Sequence, residues 1–162
     1  MPKNVNNFHK QLRSLLPDAF ILTVVVATSP DTKPWKRKTT IKELTILIKY
    51  IDQLSFLFYD THINSQNIFE NNCVSQIKDI EELKNQNSST QFLVSIGTFV
   101  NRPELREFRN LKIENIPNTL QTIKKSILIV NDSIKLVDGI SIYYDWQTEK
   151  SEWKQFREHW AN

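Results

Sequence analysis

Glycine is nearly missing from this chain: Gly97 and Gly139 are the only two. Phosphate-cradling loops of the GxGxxG or Walker type need several glycines close together, so nucleotide binding of those kinds is excluded. There is one cysteine, Cys73, which cannot form an internal disulfide and has no CxxC or Cys–His companion at metal-ligand spacing. A plain buried or half-buried thiol is expected, with no metal and no cofactor. No apolar run is long enough to cross a bilayer. Met1 to Phe20 carry Lys, Asn, His and Arg throughout, unlike a signal peptide, so the expectation is no membrane association and retention where the chain is made, the cytoplasm by default. Nor is there a large excess of one charge: 21 Lys and Arg face 18 Asp and Glu, for a net +3. Lys36-Arg37-Lys38 is the single short basic run, which suits a solvated loop better than a nucleic-acid surface.

What remains is an ordinary globular composition, 40% hydrophobic and 24% charged over 162 residues, enough for one domain over 1–162. Val5, Phe8, Leu12, Leu15 and Leu16 recur at helical spacing and predict an amphipathic helix over 4–16, ended by Pro17-Asp18. The β-branched run 20–27 reads as a buried parallel strand; it leaves through a loop holding Pro30, Asp31, Pro34 and Trp35. Thr39 or Thr40 can cap the next helix, with Glu43 placed for a capping box, and Ile41, Leu44, Leu47, Ile48 and Ile51 mark its inner face. The strand 54–60 follows, then a polar loop carrying Ile68 and Phe69, and a helix over about 73–86 with Val74, Ile77, Ile80 and Leu83 inward. Strand 91–97, a long polar connection with Arg102, Pro103, Arg106 and Arg109, and a helix over about 118–131 (Leu120, Ile123, Ile127 and Val130 inward) come next. Strand 137–144 and a last helix over about 149–160, with Trp153, Phe156 and Trp160 on one face, complete the chain; Asp132 reads as a turn residue.

Strict alternation of helices and buried strands predicts an α/β fold with four parallel strands covered by helices, joined by right-handed crossovers. It closes either as a small open sheet or as a segment of a (β/α) barrel, for which the chain has about half the usual length. In parallel α/β folds, ligands gather at the C-terminal ends of strands. The run Leu54-Ser55-Phe56-Leu57-Phe58-Tyr59-Asp60-Thr61 ends in a phenol, a carboxylate and a hydroxyl, so Tyr59 and Asp60 are the first candidate site residues. His62 beside them reads as a loop histidine, with no serine or cysteine nucleophile suggested nearby. Tyr143 and Tyr144 alternate across the last strand, so one faces the sheet's interior and one the helices.

The ordered strand ends resemble the C-terminal half of a glycoside hydrolase family 18, chitinase-like, TIM barrel. The segment Phe8 to Pro17 resembles that family's fourth helix, and Phe20 to Pro30 its fifth strand with an Ala-Thr-Ser-Pro exit. Phe58-Tyr59-Asp60 resembles the sixth-strand Met-x-Tyr-Asp motif, with Leu57 or Phe58 in place of methionine. Phe92 to Gly97 resembles the seventh strand, and Gly139 to Trp146 the eighth with its sugar-binding tryptophan. Tyr-Asp and a lone tryptophan are short motifs; the most specific part is the eighth-strand stretch with the aromatic-rich helix behind it.

The resemblance implies carbohydrate chemistry of one kind. In that family a fourth-strand glutamate protonates the leaving oxygen and the substrate's own N-acetyl group attacks. By position, Tyr59 and Asp60 would contact the acetamido group, while Trp146 and Tyr144 would form a platform for an N-acetylglucosamine-type oligosaccharide. The family's Asp-x-x-Asp-x-Asp-x-Glu motif, however, occurs nowhere in the chain. A half-barrel fragment inactive alone is therefore expected, with a non-catalytic carbohydrate-binding module or a small α/β interaction domain as alternatives. Its edge strands, 20–27 and 137–144, would be left unpaired, so a homodimer that rebuilds a full barrel, association with a separate N-terminal half-barrel or a poorly stable product is expected.

Overall fold

In a computed structural model of the chain, the structure describes residues 3–27, 39–59, 61–86, 89–98, 109–131, 134–143 and 147–160. Five helices alternate with four strands: α1 (Lys3–Leu15), β1 (Thr23–Val26), α2 (Ile41–Leu47), β2 (Gln53–Leu57), α3 (Gln66–Gln86), β3 (Gln91–Gly97), α4 (Ile116–Val130), β4 (Gly139–Tyr143) and α5 (Lys150–Trp160), with a 3-10 turn over Ile134–Leu136. The strands lie in chain order, β1-β2-β3-β4, and every pair is parallel. The expected α/β architecture of four parallel strands alternating with helices is therefore present.

Each crossover moves one strand in the same direction. Right-handed connections of that kind put every helix on one face of the sheet, and the helices pack on one another in chain order, α1 on α2 through α4 on α5. The register divides the strand residues accordingly. Val26, Phe56, Val94 and Ile140 share one row, and the row before it holds Val24, Leu54 and Phe92. This side meets Leu44, Leu47, Phe69, Ile77, Ile80, Leu83, Leu120, Ile123 and Ile127 in the core. Val25, Ser55, Leu93 and Gly139 share a row of the other side, where Val25 is 56% and Tyr143 43% exposed.

The expectation of strands buried on both faces holds for the middle of β2, Leu54 to Phe56, and for the end of β3, Val94 to Gly97, and is corrected for the first strand. β1 alternates between exposed and covered positions, because no described helix lies on the second face at this edge of the sheet. The first strand is also shorter than 20–27: Phe20 and Ile21 precede it and are exposed. The stripe of α1 is only partly used, with Phe8 57% and Leu15 80% exposed; α1 packs lightly on α2. The third helix begins at Gln66 rather than near 73. Ile68 and Phe69 belong to its first turn, and Phe69 is fully buried. In α5 the buried residue is Glu152, while Phe156 and Trp160 pack at the margin of the core.

Local signals otherwise act as the sequence suggests. Thr40 caps α2, its hydroxyl accepting the Glu43 N–H while Glu43 Oε2 accepts the Thr40 N–H at 2.9 Å; this reciprocal pairing satisfies two donors that helix geometry leaves over. Asn115 caps α4 in the same sense, with Pro117 in the first turn.

One device occurs twice at the N-terminal end of the sheet. Asp52, just before β2, accepts the Leu22 N–H at 2.7 Å and a guanidinium N–H of Arg13 in α1 at 2.8 Å. Asp138, just before β4, accepts the Phe92 N–H at 2.8 Å and the ammonium of Lys84 in α3 at 2.8 Å. Each carboxylate thus fixes the start of the neighbouring strand and ties it to the helix leading into that strand. Replacing Asp138 by Ala removes charge-assisted bonds and frees the Phe92 amide. The expected loss is roughly 1–3 kcal/mol, read as a lower urea midpoint at unchanged slope; a variant as stable as the parent would exclude this role.

Candidate functional site

The C-terminal ends of the strands carry the residues with chemistry. Gly97 stands opposite Tyr143 across β3 and β4. Leu57 stands opposite Ser95, so Tyr59, two residues on, falls beside Gly97. Glycine leaves that position without a side chain, and the rings of Tyr59 and Tyr143 meet over it. Their centroids are 5.0 Å apart at an interplanar angle of 12°, an offset stack of the favourable kind. Tyr59 is half-buried and Tyr143 is 43% exposed, so the pair presents an aromatic surface on the side of the sheet away from the helices.

Below it on the same side lie Leu57 with Ser95 and Ser141, then Val25 with Ser55, Leu93 and Gly139. Ser55 and Ser95 are buried and hydrogen-bonded to each other at 2.6 Å. At the opposite end of the strands Thr23 donates to Gln53 at 2.7 Å, and Gln53 donates to Gln91 at 2.7 Å. These rungs occupy the polar groups of the face within the face itself.

Behind the tyrosines, a buried polar cluster holds the loops. Thr61 donates its hydroxyl and its backbone N–H to Glu114 Oε1, and Arg109 Nε lies 3.8 Å from Glu114 Oε2 with both side chains almost wholly buried. His62 follows Thr61 with φ of 57°, the left-handed region that non-glycine residues seldom enter, and turns the chain toward α3. Thr98, leaving β3, shares a 2.6 Å hydrogen bond with Thr148 and donates to the Tyr143 carbonyl at 3.3 Å. The exits of β2, β3 and β4 are thereby linked to the starts of α4 and α5.

Glu152 completes this region. It is 5% exposed, and its Oε2 accepts the Glu149 N–H at 2.9 Å. Burial raises its pKa, and the Glu149 carboxylate adds to the rise, while the bond from the Glu149 backbone and the charge of Arg109 oppose it. Cys73 is buried in α3, and burial first, then the Glu114 and Glu70 carboxylates, raise its thiol pKa. A thiol so shifted carries little thiolate at neutral pH and is a poor nucleophile.

The sequence-derived site residues fare unequally. Tyr59 stands on the open side at a strand end, beside a tyrosine from β4. Asp60, Tyr144 and Trp146 lie outside the described residues, as do Lys36-Arg37-Lys38, Trp35, Asp31 and Asp132. Tyr143, which the sequence left undecided between two faces, is the one that meets Tyr59. Arg109, Glu114 and Glu152 were not singled out as a cluster, because partners far apart in sequence leave no periodic signal. Among the described residues no group of three His, Cys, Asp or Glu side chains could hold a metal ion. No described helix is long and apolar enough to cross a membrane. A shallow pocket lined by Thr45, Ile48, Lys49 and Gln86 lies where α2 and α3 end, away from the tyrosines.

Two outcomes follow from this geometry. Gly97→Val puts a branched side chain between the rings, and the near-ultraviolet circular dichroism of the tyrosine pair should collapse while the far-ultraviolet spectrum stays; an unchanged near-ultraviolet band would exclude the stacked pair as drawn. For Glu152 the sign is set by its raised pKa. Above the ordinary carboxylate pKa near 4.5 the folded state holds this proton more readily than the unfolded state, so stability from this group declines as pH rises from about 4.5 toward the shifted value. Glu152→Gln should flatten that decline in urea titrations at stepped pH, and a decline of the same slope would assign it to other groups.

Comparison of the chain with models of protein families, with curated proteins and with solved structures found no match in any of the three.

Proposed function

We propose that the chain is a carbohydrate-binding unit built as a partial (β/α) barrel, similar to the C-terminal half of the glycoside hydrolase family 18 fold and without hydrolytic activity by itself. The observation that carries this reading is the stacked pair of Tyr59 and Tyr143 at the C-terminal strand ends, on the face that no described helix covers. Flat aromatic rings pack well against the apolar face of a pyranose, and strand ends of this polarity are where parallel α/β folds bind ligands. The strands also keep the consecutive order of neighbouring barrel strands. In sequence, Asp60 follows Tyr59 directly, and Tyr144 and Trp146 follow Tyr143 closely. A carboxylate and an indole there would supply hydroxyl contacts and a sugar platform for an N-acetylglucosamine-type oligosaccharide.

The chemistry stops at binding. The sequence holds no Asp-x-x-Asp-x-Asp-x-Glu motif to deliver a proton to a glycosidic oxygen. Glu114 has its carboxylate engaged by Thr61 and Arg109, and Glu152 is buried in α5. Neither is disposed as a general acid on the open side.

Chito-oligosaccharide titration followed by NMR tests the reading. Chemical-shift changes should centre on Tyr59, Gly97 and Tyr143, and Tyr143→Ala should weaken binding at least tenfold. A fluorogenic chitobioside should remain uncleaved. Shift changes absent at millimolar oligosaccharide, or centred elsewhere, would remove this function.

A further inference from the structure

We infer that α5 is a latch held shut by an uncharged Glu152, so that this helix loosens from α4 as pH rises while the sheet and the other helices stay folded. The inward side of α5 carries Glu152, Phe156 and Trp160, each one helical turn from the next, with Trp153 beside them. Phe156 and Trp160 pack only at the margin of the core, and the one buried residue of the helix is the acid. α5 is thus docked through a carboxyl where an amphipathic helix ordinarily sets an apolar anchor.

The surroundings of that carboxyl suit its neutral form. Oε2 accepts the Glu149 N–H at 2.9 Å, which closes the first turn of α5. Oε1 is buried, and no described group donates a hydrogen bond to it. A carboxylate can accept about four hydrogen bonds, and burying one so sparsely bonded costs far more than burying the acid.

The charges around Glu152 do not remove that cost. From its own segment the Glu149 carboxylate repels a second negative charge, and the other charged or titratable residues of α5, Lys150, Lys154, Arg157, Glu158 and His159, are exposed. From the β3–α4 connection comes Arg109, whose guanidinium attracts Glu152. That guanidinium is already buried against Glu114, with Nε 3.8 Å from Oε2, so one cation serves two carboxylates. α4 is the helix on which α5 chiefly packs, and its titratable residues are Lys124 and Lys125. Lys124 Nζ lies 5.7 Å from the Trp160 ring, at the far end of α5, and Lys125 pairs with Glu70 in α3. Burial, the largest influence, raises the Glu152 pKa, in keeping with this inventory.

Ionising Glu152 in place therefore leaves a poorly bonded negative charge where α5 meets the β3–α4 connection. Swinging the first turn of α5 outward returns the carboxylate to water. It disturbs few core contacts, because the buried apolar cluster holds no residue of α5; elements so lightly packed open locally without global unfolding. Docking is strongest below the ordinary carboxylate pKa of 4.5 and weakens as pH rises through the raised value.

The inference does not depend on the sugar reading, and its test uses the whole chain without sugar. Amide hydrogen exchange read by NMR from about pH 4.5 to about pH 8, corrected for the intrinsic rate at each pH, compares α5 with α4. Protection of α5 should fall about tenfold or more while that of α4 holds. In Glu152→Gln, which carries no charge at any pH, the protection of α5 should hold across the range. In the unaltered chain the Glu152 side-chain carboxyl carbon, followed by carbon-13 NMR, should titrate above 4.5 and in step with the loss of α5 protection. Protection of α5 that stays level, a fall shared equally by α4, a Glu152→Gln chain that loosens as the parent does, or a carboxyl that titrates at or below the ordinary value would each overturn the inference.

Discussion

The consecutive order of four parallel strands is the constraint on which the rest of this molecule depends. A sheet whose crossovers all step the same way receives its helices on one side. Every second side chain of the strands then faces a core with α2, α3 and α4, and every other one faces a side that no described helix covers. The chain's composition along the strands conforms to that division. Leu54, Phe56, Phe92, Val94 and Ile96 face inward and are all but inaccessible. Ser55, Ser95, Gly97, Gly139 and Ser141 supply small groups to the other side, interrupted by Val25, Leu57, Leu93 and two tyrosines. Small residues there let larger neighbours meet across a strand, as Tyr59 and Tyr143 do over Gly97.

Register has to be held for this division to work, since a slip of one residue would exchange the two faces. The paired aspartates do that. Asp52 and Asp138 each stand one strand beyond the amide they bind, and each adds an ion pair to the helix that precedes the bound strand. The molecule thus contains the same arrangement in its first and third helix–strand pairs, with Arg13 in one and Lys84 in the other. Those ion pairs are partly exposed and contribute modestly as charges; their structural weight lies in the backbone N–H that each carboxylate accepts.

Much of this was legible from the residues. Thr40 and Glu43 announced α2 because a capping box is local, and the inner faces of α2, α3 and α4 followed from 3.6-residue spacing. Strand 91–97 was read with its observed limits. The face-by-face fate of the strands was not legible, because a run such as Thr23 to Val26 is apolar on both sides and its burial is decided by where helices are sent. Phe69 was hidden among Asn, Gln and Ser, so the start of α3 looked like a loop. Of the candidate site, Tyr59 could be located by its place at the end of an apolar run. Its pairing with Tyr143 depends on strands β2 and β4 flanking a glycine, and nothing local specifies that. Arg109, Glu114 and Thr61 escape for the same reason: this buried cluster is a property of two loops meeting.

The separation of faces also sorts substitutions by their cost to stability. The hydrophobic core that drives folding lies between the sheet and the helix layer, and buried apolar area there supplies the favourable term at about 25 cal/mol per Å². The open face shares the strands but few of those contacts. Substitutions at Val25 or Tyr143, 56% and 43% exposed, therefore remove little buried area. Inward neighbours behave oppositely: Phe56, one residue from Ser55, is fully buried, and truncating such a phenylalanine costs about 3–5 kcal/mol. Alternate positions along one strand thus answer to different demands: inward ones fill the core, and small ones on the other side make room for their neighbours, as Gly139 does for Leu93 and Ser55 for Ser95.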